Sequence, residues 1–217
     1  MEEHLYHGTE ARYNEYSILE LLFDLGIRPL SPDGTLRGAL DGPVLDIGCG
    51  RHANLVEHLN GSGLKAEGVD PDVLDELAGR DYLMKQKAEK IPRSDGYYGT
   101  ALSHMSLYQG GMLFAGFMWP EKRDGDFVEA YKEFYREHVK PELMSTLEET
   151  RRILRPGGKF IIHPIPLLWL MDVDNELKSQ GYRFVVEDVP PFIKKVSDHM
   201  KEMGMEYMKR LILKMPE

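Results

Sequence analysis

Residues 44–59 read Val-Leu-Asp-Ile-Gly-Cys-Gly-Arg-His-Ala-Asn-Leu-Val-Glu-His-Leu, and the reading of this stretch decides the fold. A short apolar run, Val44-Leu45, meets Asp46, and Gly48 and Gly50 then open a segment with helical apolar spacing at Leu55, Val56 and Leu59. The pattern is strand, glycine turn and helix N-terminus. Glycines let the backbone turn sharply and approach a ligand with no Cβ in the way. The N–H groups of a helix start face whatever sits in that turn. Taken alone, a Gly-x-Gly turn serves many nucleotides.

The second half of the signal comes about twenty residues later. Leu64-Lys65-Ala66-Glu67-Gly68-Val69 reads as another strand, ending in Asp70 and followed by Pro71. An acidic side chain at the tip of this strand lies where a ribose presents two hydroxyls, and one carboxylate accepts from both. Turn, helix, strand and carboxylate in this order describe a βαβ unit that holds a nucleoside-bearing cofactor. Dinucleotide sites favour a third glycine in the loop, and here His52 stands in that region.

At these residues the chain resembles the class I S-adenosylmethionine-dependent methyltransferases. Leu45-Asp46-Ile47-Gly48-Cys49-Gly50 is similar to their first motif, and Gly68-Val69-Asp70-Pro71 to their second. Gln86-Lys87-Ala88-Glu89-Lys90-Ile91-Pro92 resembles the adenine-contacting loop. Arg152-Ile153-Leu154-Arg155-Pro156-Gly157-Gly158-Lys159-Phe160 resembles the helix–turn–strand passage into the fifth strand. The resemblance spans residues 44–163. It implies S-adenosyl-L-methionine as cofactor and an α/β fold: a doubly wound, mostly parallel seven-stranded sheet with an antiparallel C-terminal strand and helices on both faces.

The resemblance also assigns cofactor roles. Asp46 orients the glycine loop and reaches the methionine amino group, and the backbone of Gly48, Cys49 and Gly50 lines the carboxypropyl part. Asp70 takes the ribose hydroxyls, with Pro71 near the adenine. Ala88 offers backbone contact to the adenine edge, Glu89 lies beside it, and the Ser103 carbonyl approaches the amino group. Two residues depart from the pattern. His52 replaces a frequent glycine and crowds the loop or adds a donor. Lys87 stands where an aspartate often contacts the adenine amino group.

Composition bounds the alternatives. At 217 residues the chain suits one α/β domain. No apolar run approaches the length of a membrane span, and Met1-Glu2-Glu3-His4 has neither a basic start nor an apolar h-region, so no signal peptide is expected. One cysteine, Cys49, excludes an intramolecular disulfide and any cysteine-built metal site, and points to a reducing, cytoplasmic setting. Acidic residues outnumber basic ones 36 to 27, a net charge of −9. That disfavours nucleic-acid partners, which need clustered Lys and Arg, and favours a small-molecule acceptor. Monomer and homodimer both stay open, and no metal is expected.

The remaining chain is read as follows. Residues 10–25 form an amphipathic helix with Thr9 as N-cap and Gly26 as C′ glycine, and 29–43 form a loop. Strands fall near 43–47, 64–69, 83–87, 98–103, 159–163, 182–189 and 206–214, the last two able to pair antiparallel. Residues 109–142 form an inserted substrate-side or lid segment, with a helix at 126–139 carrying Phe127, Tyr131 and Phe134 on one face. Ordinary core or a dimer contact are the alternative roles for these aromatics.

Methyl transfer from a sulfonium needs alignment and water exclusion more than covalent help. An acceptor with a proton to lose also needs a base. His104, just past Ser103 at the carboxyl edge of the sheet, is the leading candidate, since an imidazole accepts protons near neutrality. Tyr108 is a hydrogen-bonding partner for the acceptor, and His163, at the tip of the fifth strand, is the second base candidate. The competing functions are a non-catalytic module that binds S-adenosylmethionine or S-adenosylhomocysteine, a protein or RNA methyltransferase, and a nicotinamide-dependent dehydrogenase.

Overall fold

Val44–Ile47 form β1, every residue of it buried, and the other strands build outward from it. The computed structural model describes residues 22, 25, 27, 40–104, 106, 133, 135–166, 174–179, 181–188 and 208–216. Within them lie β2 (Ala66–Val69), β3 (Leu83–Met84), β4 (Tyr98–His104), β5 (Leu154–Pro166), β6 (Arg183–Asp188) and β7 (Met208–Lys214). Helices α1 (Asn54–Gly61) and α2 (Lys140–Ile153) accompany them, and residues 174–179 are helical as well. The strand order is β3-β2-β1-β4-β5-β7-β6. β3, β2, β1, β4 and β5 pair in parallel, whereas β7 runs antiparallel to both β5 and β6. The mostly parallel seven-stranded sheet with an antiparallel C-terminal strand is therefore present.

Alternation along the strands splits the core into two layers. Leu45, Ile47, Val69, Ala101, Phe160 and Ile162 face α2 through Leu143 and Leu147. Val44, Ala66, Leu102 and Ile161 face α1 through Leu55, Val56 and Leu59, together with Leu22 and Leu25. The apolar spacing that marked residues 54–61 as a helix is thus the spacing that buries Leu55, Val56 and Leu59. Burial of each such side chain contributes about 1.5–3 kcal/mol.

Register aligns the strand ends. Ile47 pairs with Val69, so Gly48 and Asp70 leave the sheet side by side. Ser103 pairs with Ile162, and His104 with His163. The carboxyl ends of β1, β2, β4 and β5 therefore share one edge, where open α/β sheets place ligands.

Several expectations are revised. β3 is two residues long, shorter than 83–87. β5 begins at Leu154, and the expected turn at 155–158 is an irregularity within it. The register shifts between Tyr98 and Thr100, Gly157 has φ +72°, and a Cβ on Gly158 would lie 2.8 Å from the Arg155 carbonyl oxygen. Residues 135–139, expected as the end of an α-helix, form a π-helical turn that runs into α2. Residues 140–142, assigned to the insertion, are the first turn of this core helix, with Pro141 near its start. The 10–25 helix lies outside the described residues except Leu22 and Leu25, both buried. Tyr108 and residues 109–132 and 134, with Phe127, Tyr131 and Phe134, also lie outside them.

Candidate active site

The glycine loop crosses the carboxyl edge between β1 and α1. Gly48 and Gly50 both have positive φ, +75° and +72°. The Gly48 N–H donates to the Val69 carbonyl at 2.8 Å, which carries the β1–β2 ladder one residue past the strand. A Cβ on Gly48 would sit 1.9 Å from the Ser106 Cβ, so only glycine fits there. A Cβ on Gly50 would meet nothing within 4 Å; its demand is conformational alone. His52 is exposed and needs no left-handed conformation, which explains why a histidine is tolerated. The third positive φ falls instead on Ala53, at +49°. Ala53 is also the N-cap of α1, with no side-chain cap hydrogen bond, and Asn54 is the first helical residue.

Two carboxylates flank this loop. Asp70 accepts from the Gly50 N–H through Oδ2 at 3.0 Å and from the Asp72 N–H through Oδ1 at 2.7 Å. Each oxygen keeps lone-pair capacity for a further donor. Asp46 is buried, and desolvation together with the nearby Asp70 charge raises its pKa to about 7. Partial burial also raises the Asp70 pKa, against the two backbone hydrogen bonds. Cys49 packs against Gly68, whose added Cβ would lie 2.7 Å from its sulfur. Burial, Asp46 and Asp70 push its thiol upward, so it stays protonated at neutral pH and is no nucleophile.

The carboxyl ends of β4 and β5 contribute hydroxyls and imidazoles. Ser106 Oγ donates to the Ile47 carbonyl at 2.6 Å and lies 2.6 Å from Ser103 Oγ, so Ser103 donates to it in turn. This chain of bonds ties the segment after β4 to the end of β1 and sets Ser106 over Gly48. Sequence reasoning missed Ser106, since a serine past a strand end carries no spacing signal. His104 and His163 are buried and stack on adjacent strands, with ring centroids 5.4 Å apart and planes 22° off parallel. The two expected base candidates are thus brought together.

The 85–95 segment leaves β3 at the same edge, where the Asp70 N–H donates to the Met84 carbonyl at 3.1 Å. Ala88 is half-buried against the α2-side core. Glu89 is half-buried and lies 3.8 Å from Lys87, whose amine also approaches Glu142 on α2 at 3.4 Å. Lys87 thus serves as a tie to α2. Arg152 secures the segment from below, donating to the Ile91 and Arg93 carbonyls at 2.9 and 2.8 Å. Pro71 is exposed beside Asp70. Among the described residues no group of three His, Cys, Asp or Glu side chains is arranged to hold a metal ion, and no helix is long and apolar enough to cross a membrane.

No protein-family model matches the chain, and no curated protein matches it in sequence. Among solved structures, it is similar to the antibiotic-resistance methyltransferase Kmr at 16% identity, over 93% of this chain and 94% of that one, with a TM-score of 0.49. The [4+2]-cyclase SpnF is 17% identical over 83% of this chain and 77% of its own, at a TM-score of 0.47. The Burkholderia thailandensis 1,6-didemethyltoxoflavin-N1-methyltransferase, crystallised with S-adenosylhomocysteine, is 16% identical over 80% and 71%, at 0.46. Likeness at these identities concerns the fold. The mostly parallel sheet closed by an antiparallel β7 is the architecture that the sequence resemblance implied.

Proposed function

We propose that this chain is an S-adenosyl-L-methionine-dependent methyltransferase acting on a small-molecule acceptor. The observation that carries the reading is the pair of carboxylates, Asp46 and Asp70, set on either side of a glycine loop at the carboxyl edge of the sheet. Among the described residues, the charge felt by buried Asp46 is that of Asp70, another anion. Such a site favours a ligand that brings positive charge and hydroxyl donors together. S-adenosylmethionine supplies an ammonium, two ribose hydroxyls and an electrophilic methyl group.

The residues present fit that group. Asp46 takes the ammonium, the free lone pairs of Asp70 take the hydroxyls, and the Gly48–Gly50 backbone lines the aliphatic arm. The Ser103 carbonyl stands beside the same ammonium. Ala88 and Glu89 border the adenine side, with Pro71 at the rim and His52 at the loop surface. His104 is the acceptor-side base, His163 its stacked neighbour, and Tyr108 the hydrogen-bonding partner. Residues 109–139 remain the proposed acceptor wall or lid.

Calorimetric titration with S-adenosylmethionine, S-adenosylhomocysteine and NAD tests the reading. The two sulfur ligands are expected to bind and NAD to fail, with Asp70→Ala weakening binding at least tenfold. NAD binding, or no binding of either sulfur ligand, refutes it. A labelled-methyl screen against cell extract then separates an enzyme from a module that only binds the cofactor.

A further inference from the structure

We propose that the outer edge of β6 docks against the same edge of a second copy of this chain, joining two seven-stranded sheets into one across a two-fold axis. β6 ends the strand order, and among the described residues it pairs only with β7. An edge strand presents a row of N–H and C=O groups that another strand can pair with. Soluble proteins usually blunt such an edge with charge along its length. Here the middle of the strand carries Val185 and Val186, 43% and 39% exposed, with charged residues toward its ends.

Symmetry then fixes the partner and the register. A two-fold axis perpendicular to the sheet keeps opposed side chains on the same face, so one residue must face its own copy. With Val185 on the axis, Arg183 opposes Glu187 of the second copy, and this ion pair occurs twice. On the other face Phe184 opposes Val186, also twice. Centring on Val186 instead would set Val185 against Glu187 and Phe184 against Asp188. The sequence Arg183-Phe184-Val185-Val186-Glu187 is therefore complementary to itself in one antiparallel register. Glu187 is held for this role by Arg210, whose Nε donates to it at 2.8 Å from β7. The charges select the register, and the apolar trio supplies the contact.

Sedimentation equilibrium of the full chain across the micromolar range should show a dimer. Arg183→Glu, at an exposed position, should shift it to a folded monomer whose far-ultraviolet circular dichroism matches wild type and whose thermal transition no longer depends on protein concentration. Val185→Cys should form a reducible, disulfide-linked dimer on mild oxidation, because the two copies face each other across one strand spacing. Val186→Cys should not, since its counterpart lies across a diagonal of about 8 Å, beyond the reach of a disulfide. A wild-type chain that stays monomeric overturns the proposal. So does a dimer indifferent to Arg183→Glu, or one in which Val186→Cys links as readily as Val185→Cys. None of these readouts depends on cofactor binding, so the proposal fails or stands separately from the methyltransferase reading.

Discussion

Asp46 carries the largest consequence at the scale of the single residue. Its carboxyl ionises near 3.8 in an open chain and near 7 in the fold. Between these values the fold holds a proton that the unfolded chain has released, so stability falls as pH rises from about 4 to 7. Asp46→Asn removes that slope: above pH 7 the variant should melt several degrees higher than wild type, and below pH 4 the two should converge. Circular-dichroism melts across that range check it, and parallel curves at every pH would contradict it. The same variant should bind S-adenosylmethionine more weakly at pH 8, which separates its functional from its structural part. The loop glycines differ in a measurable way. Gly48→Ala drives a methyl group into Ser106 as well as straining the backbone, and should cost about 3 kcal/mol or more. Gly50→Ala meets open space and should cost only about 1–2 kcal/mol. Urea unfolding ranks the two, and equal losses would contradict the assigned cause. Asp46, Gly48, Gly50 and Asp70 were legible in the sequence because a turn and a strand tip have fixed spacing. Ser106 and the stacking of His104 on His163 were not, because both depend on strands brought together from distant parts of the chain.

At the scale of the element, β2 carries an unusual burden. Glu67 is buried in mid-strand and accepts from Arg93 Nε at 2.7 Å, Tyr98 OH at 2.7 Å and Tyr97 OH at 3.1 Å. It thereby anchors the run between β3 and β4 beneath the sheet. A buried carboxylate survives only when its lone pairs are met, and stripping it away leaves the phenols and a guanidinium without their acceptor. Glu67→Ala should cost about 3 kcal/mol, and Tyr98→Phe about 1–3 kcal/mol, read as shifts of the urea midpoint at constant slope. A neutral Glu67→Ala would show that the network is ornamental. Nothing in the sequence marked Glu67 for this part, since a single charge within an apolar run reads as a solvent-facing position. The strands themselves were legible, as apolar runs ended by glycine or proline. The length of β5 was not: Pro156-Gly157-Gly158 has the chemistry of a turn, and only pairing with β4 and β7 converts it into an irregularity within a strand. Of the helix expected over 126–139, the described residues 135–139 are helical but wind as a π-helical turn that runs straight into α2, a change of pitch that apolar spacing does not reveal.

At the scale of the molecule, β7 decides whether the sheet is whole. It lies between β5 and β6 and pairs with both, burying Leu211 and Leu213. The Met215 N–H donates to the Gly158 carbonyl at 2.9 Å, and the Gly157 N–H to the Pro216 carbonyl at 3.1 Å. Removing residues 208–217 should abolish the cooperative thermal transition, and a truncated chain that still melts sharply would show that β1–β5 fold independently. This arrangement also imposes an order of events during synthesis. β6 leaves the ribosome before the only strand on which it docks among the described residues, and β5 waits with an open flank for the same strand. Until Met208–Lys214 emerges, two apolar strand edges face the crowded cell at once. The protein is thus most exposed to wrong pairing in the interval after β6 has emerged and before β7 has, when a chaperone that shields strand edges would matter most.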